Sequence, residues 1–163
     1  MATEDLLPEH PPGAMRTGNI ADELARGGVD LKVTLVSPAR PLFEGRAHWI
    51  VATGLDGQFG VWPRHMPIVV ALGGGPLRIG LAGGEVRHYA VKGGFLEVSH
   101  NEVTILVDAA VPKAEAPGVE AAAKAELAET NAELRHPASD SEFEDLLARR
   151  GWDQARIDLA RKA

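Results

Sequence analysis

The chain has 163 residues, a hydrophobic content of 45% and a formal net charge of −6 at pH 7, which fits one globular domain or one domain with an appendage. It contains no cysteine, which excludes disulfides, thiolate metal sites and a thiol nucleophile, and its acidic balance argues against nucleic acid as a partner. No apolar run approaches the ~18–20 residues that span a bilayer, so direct insertion into a membrane is not expected.

Charge divides the chain into three parts. Residues 1–29 carry a net charge of −3, residues 30–112 are neutral, and residues 113–163 carry −3. The first part is acidic and Pro-rich, lacks the basic start and apolar core of a secretory signal, and is predicted to be a flexible extension. The expected organisation is a neutral central domain with two acidic appendages.

Short apolar runs separated by Gly- or Pro-containing turns begin at Leu31 and continue to about residue 112. Residues 31–35 and 77–81 alternate apolar and polar side chains with a period of two, which is typical of half-buried strands. Nine or ten such runs at near-regular spacing predict a ten-stranded antiparallel β-sandwich over residues 30–112.

Residues 57–67, with the sequence Gly-Gln-Phe-Gly-Val-Trp-Pro-Arg-His-Met-Pro, are the most constrained stretch of the chain. Glycine permits positive φ, whereas proline fixes φ at about −65° and removes an N–H donor. Because both residue types recur between two apolar runs, the stretch predicts a rigid, shaped loop held between strands rather than a continuous strand.

The C-terminal part, residues 113–163, has the composition of a helical hairpin. Residues 119–135 are rich in strong helix formers, and a capping box of Ser139 and Glu142, or alternatively Ser141 and Glu144, opens a second helix that runs towards residue 162. Gly151 is expected to kink or split that helix. Because the first helix offers mainly alanine side chains, the hairpin is expected to dock weakly on the sandwich and to be able to undock.

The second helix of this hairpin is basic from residue 146 onwards. This stretch has five cations against two acidic residues, which gives a net charge of +3. One interpretation is that the helix binds an acidic surface of a partner. A plainer one is that cations near a helix C-terminus complement its dipole, and the sequence leaves both open. The cations are Arg149, Arg150, Arg156, Arg161 and Lys162.

No pattern of catalytic residues or metal ligands stands out. The six histidines lack metal-ligand spacing, the triple glycine at 73–75 lacks the Lys-Ser/Thr of a P-loop, and there is no Gly-x-Ser-x-Gly elbow. His65 with Asp56 or Arg64 is the best acid–base candidate, but a lone loop histidine is more often a contact residue. We therefore predict no catalytic residue, no metal site and no cofactor, and keep as the alternative a stand-alone ligand-binding module or small enzyme that uses His65.

From residue 31 to the C-terminus, the chain resembles the epsilon subunit of bacterial F-type ATP synthases. Each motif alone is weak, but their order, followed by an Ala-rich hairpin, is specific. The motifs are the strand at 31–37, Phe-Glu-Gly at 43–45, Gly-x-Phe-Gly-x-x-Pro-x-His-x-Pro at 57–67, Val-x-Gly-Gly-Phe-Leu-Glu-Val at 91–98 and Val-Thr-Ile-Leu-Val-Asp at 103–108.

The resemblance implies a two-sheet sandwich of ten strands followed by two helices. It also implies a non-catalytic rotor subunit that is bound to the gamma subunit and seated on the c-ring. Such a subunit is peripheral, lies at the cytoplasmic face of the plasma membrane, couples proton-driven ring rotation to the catalytic head and restrains ATP hydrolysis through its helices.

The resemblance also assigns contacts to both of these rotor partners. The contact with the c-ring falls on the 57–67 stretch, where the family commonly has an acidic residue at the position of Gln58. The contact with gamma falls on the 95–98 motif and its neighbouring strands. The predicted c-ring residues are Gln58, Phe59, Trp62, Arg64 and His65, and the predicted gamma residues are Phe95, Leu96 and Val98.

In the family, the second helix can approach acidic surfaces of the catalytic alpha and beta subunits. The resemblance gives this inhibitory contact to the five cations Arg149, Arg150, Arg156, Arg161 and Lys162. Some members also bind ATP in the folded hairpin through an Ile/Leu-Asp-x-x-Arg-Ala motif. The nearest match, Val-Glu-Ala-Ala-Ala-Lys at 119–124, lacks the arginine, so ATP binding is kept only as an alternative.

Overall fold

The computed structural model of the protein describes residues 29–161. Within this range there are ten β-strands and two α-helices. The strands are β1 (Leu31–Val36), β2 (Pro41–Ala47), β3 (Trp49–Gly54), β4 (Gly57–Val61), β5 (Ile68–Leu72), β6 (Gly75–Gly80), β7 (Val86–Val91), β8 (Gly94–Ser99), β9 (Glu102–Val107) and β10 (Ala110–Pro112). The helices are α1 (Ala116–Glu133) and α2 (Asp140–Arg161). The extension predicted at the N-terminus lies outside the described residues, apart from Val29.

The strands follow one another in a single hydrogen-bonded sheet with the order β10-β7-β6-β3-β5-β8-β9-β1-β2, and β4 pairs with β3. β3 and β5 are joined by the single pair Gly54–Leu72, so the sheet divides there into two halves. β1 and β9 are parallel, whereas the other neighbouring strands of the described chain are antiparallel.

Alternating side chains from both halves fill one core. Ile50 and Leu77 from one half and Leu96 and Ile105 from the other are fully buried in the same cluster. The period-two alternation in the sequence therefore corresponds to the buried and outward faces of the strands. The predicted ten-stranded sandwich followed by a helical hairpin is confirmed, with β1–β9 as a parallel pair within it.

The 57–67 stretch is only partly a loop. Its first five residues form strand β4, which pairs with β3 from Gly54–Gly57 to Ile50–Val61, so the prediction of an unpaired loop was wrong for this part. A Cβ atom on Gly60 would lie 2.2 Å from the ring of Trp62. Glycine is thus needed at this position for the close approach of an aromatic ring, and it does not end the strand. The loop proper is Trp62–Pro67.

Helix α2 begins as the sequence predicts. The Ser139 hydroxyl accepts a hydrogen bond from the Glu142 N–H at 3.2 Å, as expected of a helix N-cap. The Glu142 carboxylate accepts one from the Ala138 N–H, one residue before the position that a standard capping box would use. Of the two capping boxes that the sequence left open, the structure therefore uses Ser139 and Glu142.

Helix α2 is continuous through Gly151, so the predicted kink or split was wrong. A Cβ atom on Gly151 would lie 2.2 Å from the carbonyl oxygen of Gly74, and one on Gly74 would lie 1.9 Å from the carbonyl oxygen of Ala148. The two glycines let the helix touch the loop before β6 backbone to backbone. Gly151 is a packing residue rather than a helix breaker.

The hairpin docks on the sandwich through α2. Trp152, Ala155 and Leu159 are buried in one cluster with Ala90 of β7 and Ala116 at the start of α1. The sequence prediction of weak docking considered only the alanine face of α1, whereas the large apolar side chains at this interface belong to α2. No helix in residues 29–161 is both long enough and apolar enough to cross a bilayer.

Candidate contact surfaces

The Trp62–Pro67 loop contains a tight turn. The Trp62 carbonyl accepts a hydrogen bond from the His65 N–H at 3.1 Å, and Arg64 has a φ of 67°. Proline at the second position and positive φ at the third are the features of a type II turn. The Trp62 and Met66 side chains of this loop are exposed, so the turn presents large apolar groups to solvent.

The structure brings three of the predicted c-ring residues to one cleft. Gln58, Phe59 and His65 line an open cleft of about 450 Å³, together with the β3–β4 turn and Ile68–Ala71 of β5. Trp62 covers Gly60 beside it. The predicted contact residues are thus neighbours in space, which the sequence could suggest only through their proximity in the chain.

His65 has no acid–base partner in the described part of the chain. Its Nδ1 lies 2.8 Å from the carbonyl oxygen of Met66, and neither a hydrogen bond nor an ion pair joins it to Asp56 or Arg64 among residues 29–161. Asp56 lines the same cleft but does not orient the ring. Within residues 29–161, neither of the two residues predicted to assist His65 in acid–base catalysis is bonded to it, although His65 does line a cleft.

The predicted gamma residues lie on opposite faces of β8. Phe95 is 59% exposed, whereas Leu96 and Val98 are 0% and 1% exposed and belong to the core. As candidate surface residues, Leu96 and Val98 are therefore corrected: successive side chains of a strand point to opposite faces, and a contiguous motif cannot all face a partner.

Phe95 belongs to an exposed apolar patch that spans three strands. It pairs with Ala71 of β5 and with Leu106 of β9, and Val69 lies two residues from Ala71 on the same face of β5. Val69 and Leu106 are 66% and 54% exposed. We call Val69, Ala71, Phe95 and Leu106 the outer patch. Val69 and Leu106 were not among the predicted contact residues. The alternating burial of β9 marks Leu106 as an outward position, whereas β5 is apolar throughout and its sequence does not single out Val69.

The predicted inhibitory cation Arg156 is buried inside the hairpin. Its guanidinium pairs with Asp153 and, at 2.5 Å, with Glu126 of α1, and it lies 4.7 Å from the ring centroid of Trp152. Asp153 also accepts a hydrogen bond from the Thr130 hydroxyl at 3.3 Å. In this docked conformation Arg156 is therefore not available to a partner, which corrects its assignment as an exposed contact.

Two more of these cations pair with glutamates of α1. Arg149 lies 3.2 Å from Glu133 and 3.7 Å from Glu129, and Arg161 lies 3.9 Å from Glu120. The pKa of Glu120 is lowered, first by a hydrogen bond from Lys124 and, after opposing desolvation, by the charges of Lys124 and Arg161. Neither of the two interpretations of the basic helix included these pairs.

The remaining two cations differ from these three. Arg150 is exposed and makes no ion pair within residues 29–161, and Lys162 lies outside the described residues. Of the five predicted inhibitory residues, Arg150 is thus the described one without an ion pair to α1, whereas Arg149 and Arg161 keep part of their side chains exposed beside the glutamates with which they pair.

Comparison with known proteins places the sandwich in a family. Residues 30–113 match the family described as ATP synthase, Delta/Epsilon chain, beta-sandwich domain. The ATP synthase epsilon chain of Brevibacillus brevis is 39% identical over 105 residues, which cover 64% of this chain and 76% of that protein. The epsilon chain of Desulforamulus reducens is 35% identical over 113 residues, which cover 69% and 82%. That of Xanthomonas euvesicatoria is 41% identical over 81 residues, but the match spans only 58% of its length.

The whole architecture has a counterpart among solved structures. A chain of the Euglena gracilis mitochondrial ATP synthase (OSCP/F1/c-ring, rotational state 1) superposes with a TM-score of 0.64 at 21% identity, covering 95% of this chain and 96% of that chain. At this identity the likeness shows the fold alone. Fold and surfaces together define a β-sandwich protein with a docked helical hairpin and exposed apolar side chains on the sandwich. The chain belongs to the ATP synthase delta/epsilon chain family.

Proposed function

We propose that this chain is a non-catalytic central-stalk subunit of a proton-translocating F-type ATP synthase. As part of the complex, it lies peripherally at the cytoplasmic face of the plasma membrane and couples c-ring rotation to the catalytic head. The family match over residues 30–113, which covers all ten strands, is the observation that carries the proposal.

The outer patch is the proposed contact with the gamma subunit. Exposed apolar side chains grouped on one sheet face are typical of an interaction site, and here they lie beside the exposed Glu97 that pairs with Val69. An aromatic side chain at the centre is the residue type enriched at the core of interfaces. Phe95 occupies that position between Ala71 and Leu106. Leu96 and Val98 support the patch from behind through the core and do not touch the partner in this proposal.

The Trp62–Pro67 loop and its neighbouring cleft are the proposed contact with the c-ring. Gln58, Phe59 and His65 line the cleft, and Trp62 is exposed beside it. Since Gln58 is uncharged, the contact is proposed to depend on apolar and hydrogen-bonding side chains more than on a charge at that position.

The hairpin is the proposed regulatory element. In the docked conformation α1 glutamates pair with Arg149, Arg156 and Arg161, and Arg156 also pairs with Asp153 of its own helix. An extended hairpin would release the three arginines from α1 and bring them within reach of the acidic surfaces of the catalytic alpha and beta subunits. We propose that this release, together with the exposed Arg150 and with Lys162, restrains ATP hydrolysis. The docked form is then the permissive one.

Deletion of residues 113–163 tests the proposal. The truncated chain keeps the ten strands of the sandwich, both proposed rotor surfaces and the core cluster that contains Ile50. It should therefore still co-purify with gamma and the c-ring, while the ATPase activity of the assembled complex rises. Failure to bind gamma would contradict the stalk assignment, whereas normal binding with unchanged ATPase activity would contradict only the inhibitory role.

A further inference from the structure

The two-residue turn between β8 and β9 adopts a strained conformation. His100 and Asn101 have φ values of 50° and 63°, and Ser99 pairs with Glu102 across the hairpin. Positive φ at both central residues is the signature of a type I′ turn, for which Asn and Gly are preferred. Asn at position 101 therefore fits the local backbone, but the turn alone does not require its side chain.

The Asn101 side chain reaches a different part of the molecule. Its Oδ1 accepts a hydrogen bond from the backbone N–H of Arg64 at 2.5 Å. Its backbone carbonyl accepts another from the Lys32 N–H, at the start of β1, at 2.8 Å. One residue thus joins the β8–β9 turn both to the first strand of the sandwich and to the Trp62–Pro67 loop.

The Arg64 end of this bond lies at the most constrained point of the loop. The bond from the His65 N–H to the Trp62 carbonyl closes the turn on itself but does not fix its position on the sandwich. The bond from Arg64 to Asn101 ties the turn to the neighbouring hairpin. Since Arg64 is held at positive φ, this tie also favours a backbone conformation that an arginine rarely adopts.

We propose that Asn101 is the positioning residue of the Trp62–Pro67 loop. It supplies an acceptor that holds the loop in one orientation against the sandwich, so that Trp62 and the His65 cleft are presented to a partner as a rigid surface. The consequence for the c-ring contact rests on the function proposed above, whereas the positioning of the loop does not.

Substitutions at Asn101 can separate the hydrogen bond from the backbone conformation. Asn101→Gly keeps a residue that favours positive φ and removes the acceptor. Asn101→Asp keeps an oxygen acceptor on a side chain that also tolerates this region, and it is the matched control. In the full-length chain we expect the backbone order parameters of Arg64 and His65 to fall from about 0.85 to below about 0.6 in Asn101→Gly, and to stay near the starting value in Asn101→Asp.

A measurement on the unaltered chain tests the hydrogen bond between Arg64 and Asn101 even if Asn101→Gly does not fold. The Arg64 amide should exchange with solvent about tenfold or more slowly than its intrinsic rate, because the bond to Asn101 must open first. An Arg64 amide that exchanges at its intrinsic rate, or unchanged order parameters in a folded Asn101→Gly, overturns the proposal.

Proton pumping by the assembled ATP synthase distinguishes a failure of the Asn101 positioning role from a failure of the proposed c-ring contact. Protons pumped per ATP hydrolysed should fall by about half or more with Asn101→Gly and recover with Asn101→Asp, since a misplaced contact can cost far more than the bond itself. If the loop loosens and pumping is unchanged, Asn101 still positions the loop and the proposed c-ring contact is wrong. If the loop does not loosen, the positioning role is wrong whatever the pumping shows.

Discussion

Arg64 combines backbone strain with the position of a proposed contact. Its φ of 67° costs an ordinary L-residue roughly 1–2 kcal/mol, and strain of this kind collects at functional positions. We predict that Arg64→Gly raises the free energy of unfolding by about 1 kcal/mol, since part of the gain is lost to the entropy of glycine in the unfolded chain. Denaturant titration measures the change.

The matched control for this prediction is Arg64→Ala. Alanine removes the same guanidinium but keeps a Cβ at positive φ, so it should give no stabilisation. Both variants retain the backbone N–H that bonds to Asn101. Equal stability of the two variants would contradict the assignment of strain to this residue.

Tyr89 is predicted to make the free energy of unfolding decrease at alkaline pH. Burial raises the pKa of its phenol, against a smaller opposing effect of the Arg87 charge, and its hydroxyl donates to the Leu42 carbonyl at 3.4 Å. The unfolded chain therefore loses this proton at lower pH than the folded chain. Stability from Tyr89 is complete below the ordinary pKa of about 10 and declines as the pH rises from there towards the folded pKa.

Comparison with Tyr89→Phe isolates this effect. The free energy of unfolding of the parent chain should decline more steeply above about pH 10 than that of Tyr89→Phe, which has no proton to lose at this site. Parallel pH profiles of the two proteins would contradict the prediction.

Gly151 lies where helix α2 packs closely against the loop before β6. Alanine there should stabilise an isolated helix by about 1 kcal/mol, yet its Cβ would meet the Gly74 carbonyl oxygen at 2.2 Å. We predict that Gly151→Ala weakens docking and so shifts the Ala90 methyl resonance towards its unfolded-chain value, because Ala90 shares a buried cluster with Trp152 when the hairpin is docked. Gly118→Ala is the control, since a Cβ there meets no atom within 4 Å, and it should leave this resonance unchanged.

The Arg156 cluster joins α1 to α2. Removal of one partner from a buried ion pair typically costs about 3–5 kcal/mol, because the other charge stays buried. Arg156→Ala leaves Asp153 at 0% exposure with the Thr130 hydroxyl as its neighbour. We predict that it lowers the thermal midpoint of the helical circular-dichroism signal, whereas Arg150→Ala, on an exposed cation, should change stability by about 0.5 kcal/mol or less. Similar midpoints for the two variants would show that the cluster does not hold the helices together.

At the scale of elements, the sequence predicted what local pattern controls. Alternation predicted the strands, and Ser139 with Glu142 predicted the start of α2. Gly60 and Gly151 were misinterpreted as loop and kink signals because their partners, the Trp62 ring and the Gly74 carbonyl, approach them only in the folded protein. Glycine marks close approach as readily as it marks a turn, and a single sequence does not distinguish the two.

At the scale of the whole molecule, charge pairing limits what sequence alone can predict about the candidate site. The basic character of α2 was evident from composition, but the glutamates that pair with three of its arginines lie on α1, between 16 and 41 residues away in sequence. Contact residues taken from a contiguous motif, as at 95–98, likewise include core positions. The prediction for the cleft around His65 was more accurate, because several residues that line the cleft are neighbours in the chain as well as in space.

The outer patch is the feature of the whole molecule that most directly tests the proposed place in the complex. Phe95 lies at its centre, paired with Ala71 and Leu106, and central aromatic residues carry a large share of interface energy. We predict that Phe95→Ala weakens binding to gamma by about 2 kcal/mol, roughly 30-fold, as measured by titration with the purified gamma subunit. The free chain should keep its thermal midpoint, because the side chain is exposed.

Leu55→Ala is the matched control for Phe95→Ala. Leu55 is also exposed and apolar, but it lies in the β3–β4 turn beside the proposed c-ring cleft and outside the patch. Its loss should leave the affinity for gamma unchanged. If both variants bind gamma like the parent chain, gamma does not use the outer patch. If Leu55→Ala alone weakens binding, the two proposed surfaces must be exchanged, because gamma would then contact the end of the sandwich that carries the cleft.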